Sequence, residues 1–340
     1  MVSVCQMTHT ETTWDTLDWD ALERLREGFL SGAGAAGAYW RSPADLANYD
    51  LTFAQRIAWK WDAVLAELKL RGWTPPPGEV VDWGCGSGIA GRCVLRELGT
   101  GHVTALRVFD RSPLAMDFAA ARAKAVFPGL AVNSGGPDTG RIGLLLLSHV
   151  LNELPSEERE ALVQLARRAD AVLWVEPGTH ADSRALIAMR ERLRDEFEVV
   201  APCTHEAACG LLTADNHRHW CHNFATPPAG LMADNNWVRF GQRMGIDLRS
   251  VPYSFLVLER TGLRPAGERF SSWSRVIGAP RVYKGFAKVL DCGAEGVREL
   301  TLQKRDATAV FKRLRDEEPV LLAKCVVKGE RVETVEATLP

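Results

Sequence analysis

Val80-Val-Asp-Trp-Gly-Cys-Gly-Ser-Gly88 is the most informative segment of this 340-residue chain. A short β-branched run ends in an acid, three glycines follow at alternate positions, and residues 89–98 have a helical pattern. Glycines at alternate positions remove Cβ atoms, so the backbone can turn sharply and a ligand can lie against it. The helix that follows offers unpaired N–H groups and the positive end of its dipole. The segment therefore predicts the first ligand-binding turn of a doubly wound α/β domain.

Strand-like and helix-like segments alternate after this turn. The pattern predicts further strands over 103–110, 142–147, 171–176, 198–202 and 253–259. Nearly continuous apolar strands separated by helices are typical of a parallel sheet that is covered on both faces. We therefore predict an α/β fold with a doubly wound sheet.

The rest of the sequence predicts additions to this sheet domain, which we place at 76–260. Helical patterns before the glycine turn indicate an N-terminal helical cap over 1–75. A connection of about fifty residues is too long for a plain loop, and it forms a Cys-rich insertion over 203–252. Residues 261–340 are rich in glycine and arginine, with β-like runs over 281–290, 297–303 and 320–327. They predict a small basic β appendage.

The composition is that of a globular protein, with 25% charged and 46% hydrophobic residues. A net charge of −2 gives no overall nucleic-acid signature, so any basic surface must be local. Residues 1–24 lack the pattern of a targeting signal, and no run reaches membrane-spanning length. We expect a cytoplasmic, monomeric protein without a membrane segment.

Two cofactor classes fit the glycine turn. Gly86-Ser-Gly-Ile-Ala-Gly91 matches the dinucleotide pattern, with Asp110 at a suitable distance. A turn that opens at Gly84 needs a further glycine where the chain has Ile89, and Asp82 has no role in that pattern. A dinucleotide-dependent oxidoreductase is therefore kept as an alternative function.

Acid-x-Gly-x-Gly-x-Gly at a strand end resembles the first motif of the class I S-adenosylmethionine-dependent methyltransferases. In that family the acid helps orient the methionine end of the cofactor, and a second acid at the end of the next strand binds the ribose. Asp110 stands where that second acid belongs, and the last strand of such a sheet is antiparallel. The resemblance predicts these cofactor-binding residues: Asp82, Gly84, Cys85, Gly86, Gly88, Asp110, Arg111, Ser148 and His149.

Four of the eight cysteines, Cys203, Cys209, Cys221 and Cys292, lie among polar and turn residues in the insertion and the appendage. Four thiolates from loops suit a tetrahedral zinc ion or an iron–sulfur cluster. Histidines that could complete a zinc site are His205, His217, His219 and His222. Pro202-Cys203 superficially resembles the nucleophilic Pro-Cys of RNA 5-methylcytosine enzymes, but it comes two strands too late, so we do not assign it a nucleophilic role.

The ordered set of motifs resembles the Rsm22-like proteins, relatives of a mitochondrial small-ribosomal-subunit assembly factor. The motifs are Asp82-Trp-Gly-Cys-Gly-Ser-Gly88, Ser148-His-Val-Leu-Asn-Glu-Leu154, Glu176-Pro-Gly-Thr179, Ala201-Pro-Cys-Thr-His205 with Cys209, and Trp220-Cys-His222. The resemblance implies a class I methyltransferase fold, association with small-subunit ribosomal RNA and a [4Fe–4S] cluster. The implied cluster ligands are Cys203, Cys209, Cys221 and Cys292.

A local pattern of charged and aromatic residues also supports RNA binding. Basic residues interleaved with aromatic ones suit phosphate contact and base stacking. Those between positions 237 and 289 are Arg239, Arg243, Arg249, Arg260, Arg264, Arg269, Arg275, Arg281, Lys284 and Lys288.

The leading hypothesis is therefore a protein that binds small-subunit ribosomal RNA, either as a methyltransferase or as a non-catalytic assembly factor. No catalytic residue is assigned, because Ser148-His-Val-Leu replaces the Asn/Asp-Pro-Pro-aromatic motif of adenine N-methyltransferases. His149 and Glu153 are the candidate bases. A zinc-stabilised small-molecule methyltransferase is a second alternative.

Overall fold

The computed structural model describes residues 12–31, 39–155, 157–263, 270, 272–316 and 320–339. Its α-helices are α1 (Trp19–Ser31), α2 (Pro43–Leu51), α3 (Phe53–Leu70), α4 (Ile89–Leu98), α5 (Pro113–Val126), α6 (Glu158–Ala166), α7 (His180–Leu193), α8 (Asn235–Met244) and α9 (Thr308–Arg315). The strands of the main sheet are β1 (Gly78–Trp83), β2 (Val103–Phe109), β3 (Val132–Ser134), β4 (Ile142–Ser148), β5 (Ala169–Pro177), β6 (Phe197–Ala201), β7 (Asn223–Phe224) and β8 (Pro252–Arg260). A second group of strands is β9 (Ser274–Val282), β10 (Phe286–Gly293), β11 (Gly296–Gln303), β12 (Leu322–Lys328) and β13 (Arg331–Leu339).

The main sheet has the strand order β3-β2-β1-β4-β5-β8-β6, with β7 paired to β8. Strands β1 to β5 pair parallel with one another, whereas β8 runs antiparallel to both β5 and β6. In the dinucleotide-binding sheet the order is 3-2-1-4-5-6. An antiparallel strand between the fifth and sixth strands is instead the class I methyltransferase arrangement. This order confirms the predicted α/β fold and the antiparallel last strand.

The central strands are buried on both faces because both faces carry helices. In β4, Leu144 and Leu146 belong to the core beneath α3 and α4, and Leu145 and Leu147 belong to the core beneath α6 and α7. Each fully buried leucine contributes about 1.5–3 kcal/mol relative to an exposed one. The run of apolar residues in β4 thus follows from burial on two sides.

Helix α3 is a layer of the main domain as well as part of the predicted N-terminal cap. Its residues Trp61, Val64 and Leu68 lie in one hydrophobic core with Val80 of β1 and Leu106 of β2. The Trp61 indole donates a hydrogen bond of 3.0 Å to Ser148 Oγ at the end of β4. This contact fixes α3 over the carboxyl edge of the sheet, where β1, β2 and β4 end.

The C-terminal strands form a closed barrel in the order β10-β11-β13-β12-β9, with a separate apolar core. The sequence predicted one strand over 281–290, and this is wrong, because β9 ends at Val282 and β10 begins at Phe286. Tyr283 stacks on Phe286 across the turn at a ring-centroid distance of 4.6 Å, so the β-like pattern continues through a hairpin. No helix among the described residues is long and apolar enough to cross a membrane.

Candidate cofactor site and cysteine group

A cavity of about 390 Å³ lies at the carboxyl ends of β1, β2 and β4, between the sheet and helices α1 to α3. Small-molecule and cofactor sites have volumes of about 300–1,000 Å³. The predicted cofactor-binding residues that line the cavity are Gly84, Cys85, Gly86, Asp110, Arg111, Ser148 and His149. Asp82 and Gly88 are not among the lining residues.

The glycine turn needs its three glycines for two reasons. Gly84, Gly86 and Gly88 all have positive φ values, of 72°, 50° and 76°. A Cβ atom at Gly84 would lie 2.6 Å from Val150 Cγ1, and one at Gly88 would lie 2.8 Å from the Cβ of Ala119. A Cβ at Gly86 would meet no atom within 4 Å and would project into open space. Packing therefore requires glycine at 84 and 88, whereas Gly86 leaves room for a ligand against the backbone.

Asp82 lies beneath this turn, with no exposed surface. Its Oδ2 accepts a hydrogen bond of 3.0 Å from the backbone N–H of Gly91 in α4. Burial raises the pKa of Asp82 to about 7. The sequence predicted that Asp82 touches the cofactor, but the structure places it outside the cavity. Because α4 folds against its carboxyl group, Asp82 positions the turn.

Asp110 joins the end of β2 to the glycine turn. Its Oδ2 accepts a 3.0 Å hydrogen bond from Gly86 N–H, and its Oδ1 accepts a 2.9 Å bond from Ser112 N–H. Burial raises its pKa, while these N–H donors oppose that shift. The N–H of Arg111 is a third backbone donor to this carboxylate. A carboxylate has about four acceptor positions, so Asp110 keeps capacity for a further donor. A ribose hydroxyl group would use that capacity, so the site fits a nucleoside cofactor.

His149, at the end of β4, has φ 58° in the left-handed region. Its backbone N–H donates to Val175 O at 2.8 Å, and its Nε2 lies 3.2 Å from Lys60 Nζ. Burial, followed by the charge of Lys60, holds the pKa of His149 well below its usual value. Residues held in strained backbone conformations cluster at functional sites. Because the pKa of His149 is lowered, its imidazole is neutral near pH 7, and it lies beside the Lys60 amine.

Sequence reasoning missed Lys60. Its side chain is 7% exposed and lines the cavity from α3. Burial, followed by the charge of Arg56, lowers the pKa of Lys60 to about 7. The signal was present in Trp59-Lys60-Trp61, where a lysine stands between two tryptophans on a buried helix.

Glu176, at the end of β5, holds the segment after β4 in place. Its Oε1 accepts hydrogen bonds from the N–H groups of Val150 (3.2 Å) and Leu151 (3.1 Å) and from the Trp174 indole (2.7 Å). Burial raises the pKa of Glu176 to about 8. This carboxyl group therefore fixes the backbone that carries His149.

The four predicted metal-ligating cysteines converge in the folded chain. Cys203 follows β6, Cys209 and Cys221 lie in the insertion, and Cys292 lies in the barrel strand β10. Cys209, Cys221 and Cys292 pack in one small apolar cluster with Ile187. Burial raises the pKa of Cys292, and the neighbouring Cys203, Cys221 and Cys209 raise it further. Thiols from four separate segments thus share one neighbourhood.

This neighbourhood does not have the geometry of a single-ion site. Among the described residues, no group of three or more His, Cys, Asp or Glu side chains is arranged to hold a metal ion. Three of the histidines considered as zinc ligands have other partners: His217 contacts Ala214 O, His219 accepts from Arg218, and His222 contacts Trp220 O. His205 Nε2 lies 3.9 Å from Cys292 Sγ.

A buried ion network anchors the backbone around Cys203. The Arg71 guanidinium donates to the carbonyl groups of Val200 (2.8 Å), Pro202 (2.9 Å) and Cys203 (3.2 Å). Its Nη2 also donates to Glu67 Oε1 at 2.8 Å. The insertion is therefore fixed to α3, the same helix that lines the cavity.

The predicted run of basic residues does not form one open surface. Arg275 is 2% exposed and pairs with Glu67 at 2.6 Å. Arg260 donates to the carbonyl oxygens of Arg167 and Ala169. Most of the others have acidic or aromatic partners: Arg243 with Glu23, Arg249 with Asp247, Arg281 and Lys288 with Glu299, and Arg239 over Trp19. Arg264 and Arg269 lie outside the described residues.

Strand order, glycine turn and cavity together define a class I methyltransferase-like domain. The chain belongs to the family described as mitochondrial small ribosomal subunit Rsm22, and the match covers residues 62–318. The match confirms the resemblance drawn from the sequence motifs. No curated protein matches the chain.

Solved structures with similar folds include several methyltransferases. An O-methyltransferase family protein from Burkholderia thailandensis is 18% identical; the match covers 74% of this chain and 71% of that chain, with a TM-score of 0.39. The magnesium protoporphyrin IX methyltransferase of Synechocystis, with bound S-adenosylmethionine, is 14% identical over 72% of this chain and 98% of that chain, with a TM-score of 0.38. A methyltransferase of Thiobacillus denitrificans in complex with S-adenosylhomocysteine is 16% identical over 58% of this chain and 90% of that chain, with a TM-score of 0.32. These low values carry no inference about activity, and the fold is assigned from the strand order.

Proposed function

We propose that this chain is an S-adenosylmethionine-dependent methyltransferase that acts on small-subunit ribosomal RNA. The observation that carries the proposal is the Asp110–Gly86 contact at the edge of the cavity, where a carboxylate with free acceptor capacity adjoins a glycine that leaves open space. The RNA and the small ribosomal subunit as partners rest on family membership.

Bound S-adenosylmethionine supplies an electrophilic methyl group to an acceptor atom of the RNA. Asp110 would hold a ribose hydroxyl group, and Gly84 to Gly86 would support the cofactor at the turn. His149, neutral because of burial and the neighbouring Lys60, is the base that takes the proton from the acceptor atom. Glu176 keeps His149 in place through the backbone that follows it.

The first test is transfer of tritiated methyl groups from S-adenosylmethionine to small-subunit ribosomal RNA. His149→Asn is the informative variant, because asparagine tolerates the positive φ at this position. We expect the transfer rate to fall by about 10²-fold or more, with cofactor affinity within about twofold of wild type. Wild-type protein that binds the cofactor and RNA but transfers no methyl group would instead identify a non-catalytic assembly factor.

We further propose that Cys203, Cys209, Cys221 and Cys292 hold a [4Fe–4S] cluster. Four thiols in one neighbourhood match the ligand number of such a cluster. A cluster of four irons is wider than one ion, so its ligand sulfurs stand farther apart than those of a zinc site. The proposal therefore rests on the four thiols that share one neighbourhood.

Metal and acid-labile sulfide analysis of anaerobically purified protein tests the cluster. We expect iron and sulfide in equal amounts in the wild type and their loss in Cys209→Ser and Cys292→Ser. Cys325→Ser is the matched control, because Cys325 is a free cysteine of β12 outside the group. Zinc without sulfide, or metal content unaffected by these two variants, would contradict the proposal.

A further inference from the structure

Three cations line the cavity on its helical side. Arg26 projects from α1, and Arg56 and Lys60 project from α3. Positions 56 and 60 are four residues apart and therefore lie on one face of the helix. None of the three is among the proposed cofactor contacts, and Lys60 also lies 3.2 Å from Nε2 of the proposed base His149.

No ion pair joins any of these three side chains to a carboxylate within the part of the chain that the structure describes. The Nε atoms of Arg26 and Arg56 are buried without a hydrogen-bond partner there. Burial, followed by the charge of Arg26, lowers the pKa of Arg56 to about 10, so the two guanidinium groups are close enough to repel each other. Arg26 and Arg56 are half-buried and Lys60 is buried. Partly desolvated cations without a carboxylate partner favour a ligand of opposite charge.

The acidic groups near these cations are engaged elsewhere. Asp182 lines the cavity, but its Oδ2 accepts a 2.6 Å hydrogen bond from Thr179 Oγ1. Glu176 accepts three hydrogen bonds through Oε1. Asp247, which faces Arg56, is paired with Arg249 at 3.0 Å. Asp110 and Glu153 also line the cavity, and they form no ion pair with these three side chains among the described residues. A bound anion can therefore still pair with the cluster.

S-adenosylmethionine does not supply that charge. It carries one carboxylate against an ammonium and a sulfonium group, so its net charge is positive. A nucleic acid carries a negative charge on each phosphodiester, and guanidinium groups bind phosphate through two parallel hydrogen bonds. The cation cluster therefore suits a phosphate group that arrives with the substrate.

We propose that Arg26, Arg56 and Lys60 form a subsite for a phosphodiester of the RNA whose acceptor nucleotide enters the cavity. This inference rests on the proposed function, because it names the part of the site that holds the substrate backbone. The subsite positions the RNA by its phosphate, and the groups at the end of β4 face the acceptor nucleotide.

The test measures binding of a short fluorescein-labelled oligouridylate by anisotropy over a series of salt concentrations. We expect Arg26→Gln with Arg56→Gln to weaken RNA binding by about tenfold or more. The slope of log K against log salt should become shallower by about 0.7, because the subsite holds one phosphate and each single-strand phosphate contact contributes about 0.7. Affinity for S-adenosylhomocysteine, measured by calorimetry, should stay within about twofold of wild type.

A matched double variant at the opposite edge of the sheet controls for loss of net charge. Arg141, at the amino end of β4, pairs with Asp170, and Arg168 donates to Gly140 O. Arg141→Gln with Arg168→Gln should leave the salt slope unchanged. Arg56→Lys keeps the charge but loses the paired donors, so we expect weaker RNA binding with the salt slope of the wild type. A shallower salt slope in that variant would indicate a packing role and contradict the proposal.

The remaining outcomes are distinct. If the Arg26–Arg56 double variant loses cofactor affinity and keeps the RNA salt slope, the cations hold the cofactor carboxylate and the subsite is wrong. An unchanged slope and unchanged cofactor affinity also refute it, as does a wild type that does not bind the oligouridylate. A wild type that binds no cofactor but shows the predicted slope change would refute the methyltransferase proposal and leave the phosphate subsite standing.

Discussion

Replacing Glu67 by glutamine is expected to lower the free energy of unfolding by about 3–5 kcal/mol. Glu67 is 2% exposed, and its Oε1 accepts hydrogen bonds from Arg71 Nη2 (2.8 Å) and Arg275 Nη1 (2.6 Å). Burial alone would raise the pKa of Glu67, but Arg275 and Arg71 lower it below its usual value. Glutamine removes the negative charge while the two guanidinium groups stay buried.

Urea unfolding measures this effect. Glu295→Gln is the control, because Glu295 is 81% exposed on the side chain and its pair with Arg298 lies at the surface. Its free energy of unfolding should change by less than about 0.5 kcal/mol. The network connects α3, the insertion and β9, so Glu67→Gln should also lower the iron content. A loss below about 1 kcal/mol would show that the network is not a main contact between these elements.

Asp110→Asn is expected to weaken S-adenosylhomocysteine binding by about tenfold to 150-fold, which corresponds to about 1.5–3 kcal/mol. Both Asp110 oxygens accept backbone N–H groups, from Gly86 and Ser112. An asparagine side chain has one oxygen and one NH₂ group, so it must place a donor against one of these donors. The turn shifts, and the acceptor capacity for the ribose falls.

Asp138→Asn is the matched control for this prediction. Asp138 is 85% exposed on the side chain and pairs with Arg107 away from the cavity. We expect its cofactor affinity and melting temperature to equal those of the wild type. Equal affinity in Asp110→Asn and Asp138→Asn would mean that Asp110 does not hold the cofactor.

The sheet was predictable from sequence because burial on two faces leaves a strong signal. Apolar runs such as that of β4 predict central parallel strands, and the glycine turn after β1 marks the ligand edge. The boundary between β9 and β10 was missed because aromatic residues continue the strand pattern through the turn at Tyr283. Local patterns therefore predict elements better than their ends.

The site was predicted in part. Residues that follow strands, such as Asp110 and His149, were found because the carboxyl ends of parallel strands share one edge. Lys60 was missed because its role depends on how α3 docks over that edge, which no local pattern encodes. Asp82 was predicted to touch the cofactor because a motif specifies the residue type and not which side of the turn it occupies.

The number of basic residues and the spacing of the cysteines predicted the structure least well. Arg275 counted toward an RNA surface in the sequence, yet it is buried against Glu67. Ion pairing depends on partners distant in sequence, so a count of basic residues does not predict a free surface. The spacing of Cys209 and Cys292 likewise does not predict that they lie close together. They are 83 positions apart (292 − 209), and only the docking of β10 brings them together.

The most direct test of the account is calorimetric titration of the wild-type protein with S-adenosylhomocysteine, with NADH titrated in parallel. The geometry of Asp110 and Gly86 predicts one-to-one binding of S-adenosylhomocysteine and no heat from NADH. Binding of NADH alone would reassign the glycine turn to a dinucleotide. No heat from either ligand would contradict the claim that the cavity is a cofactor site.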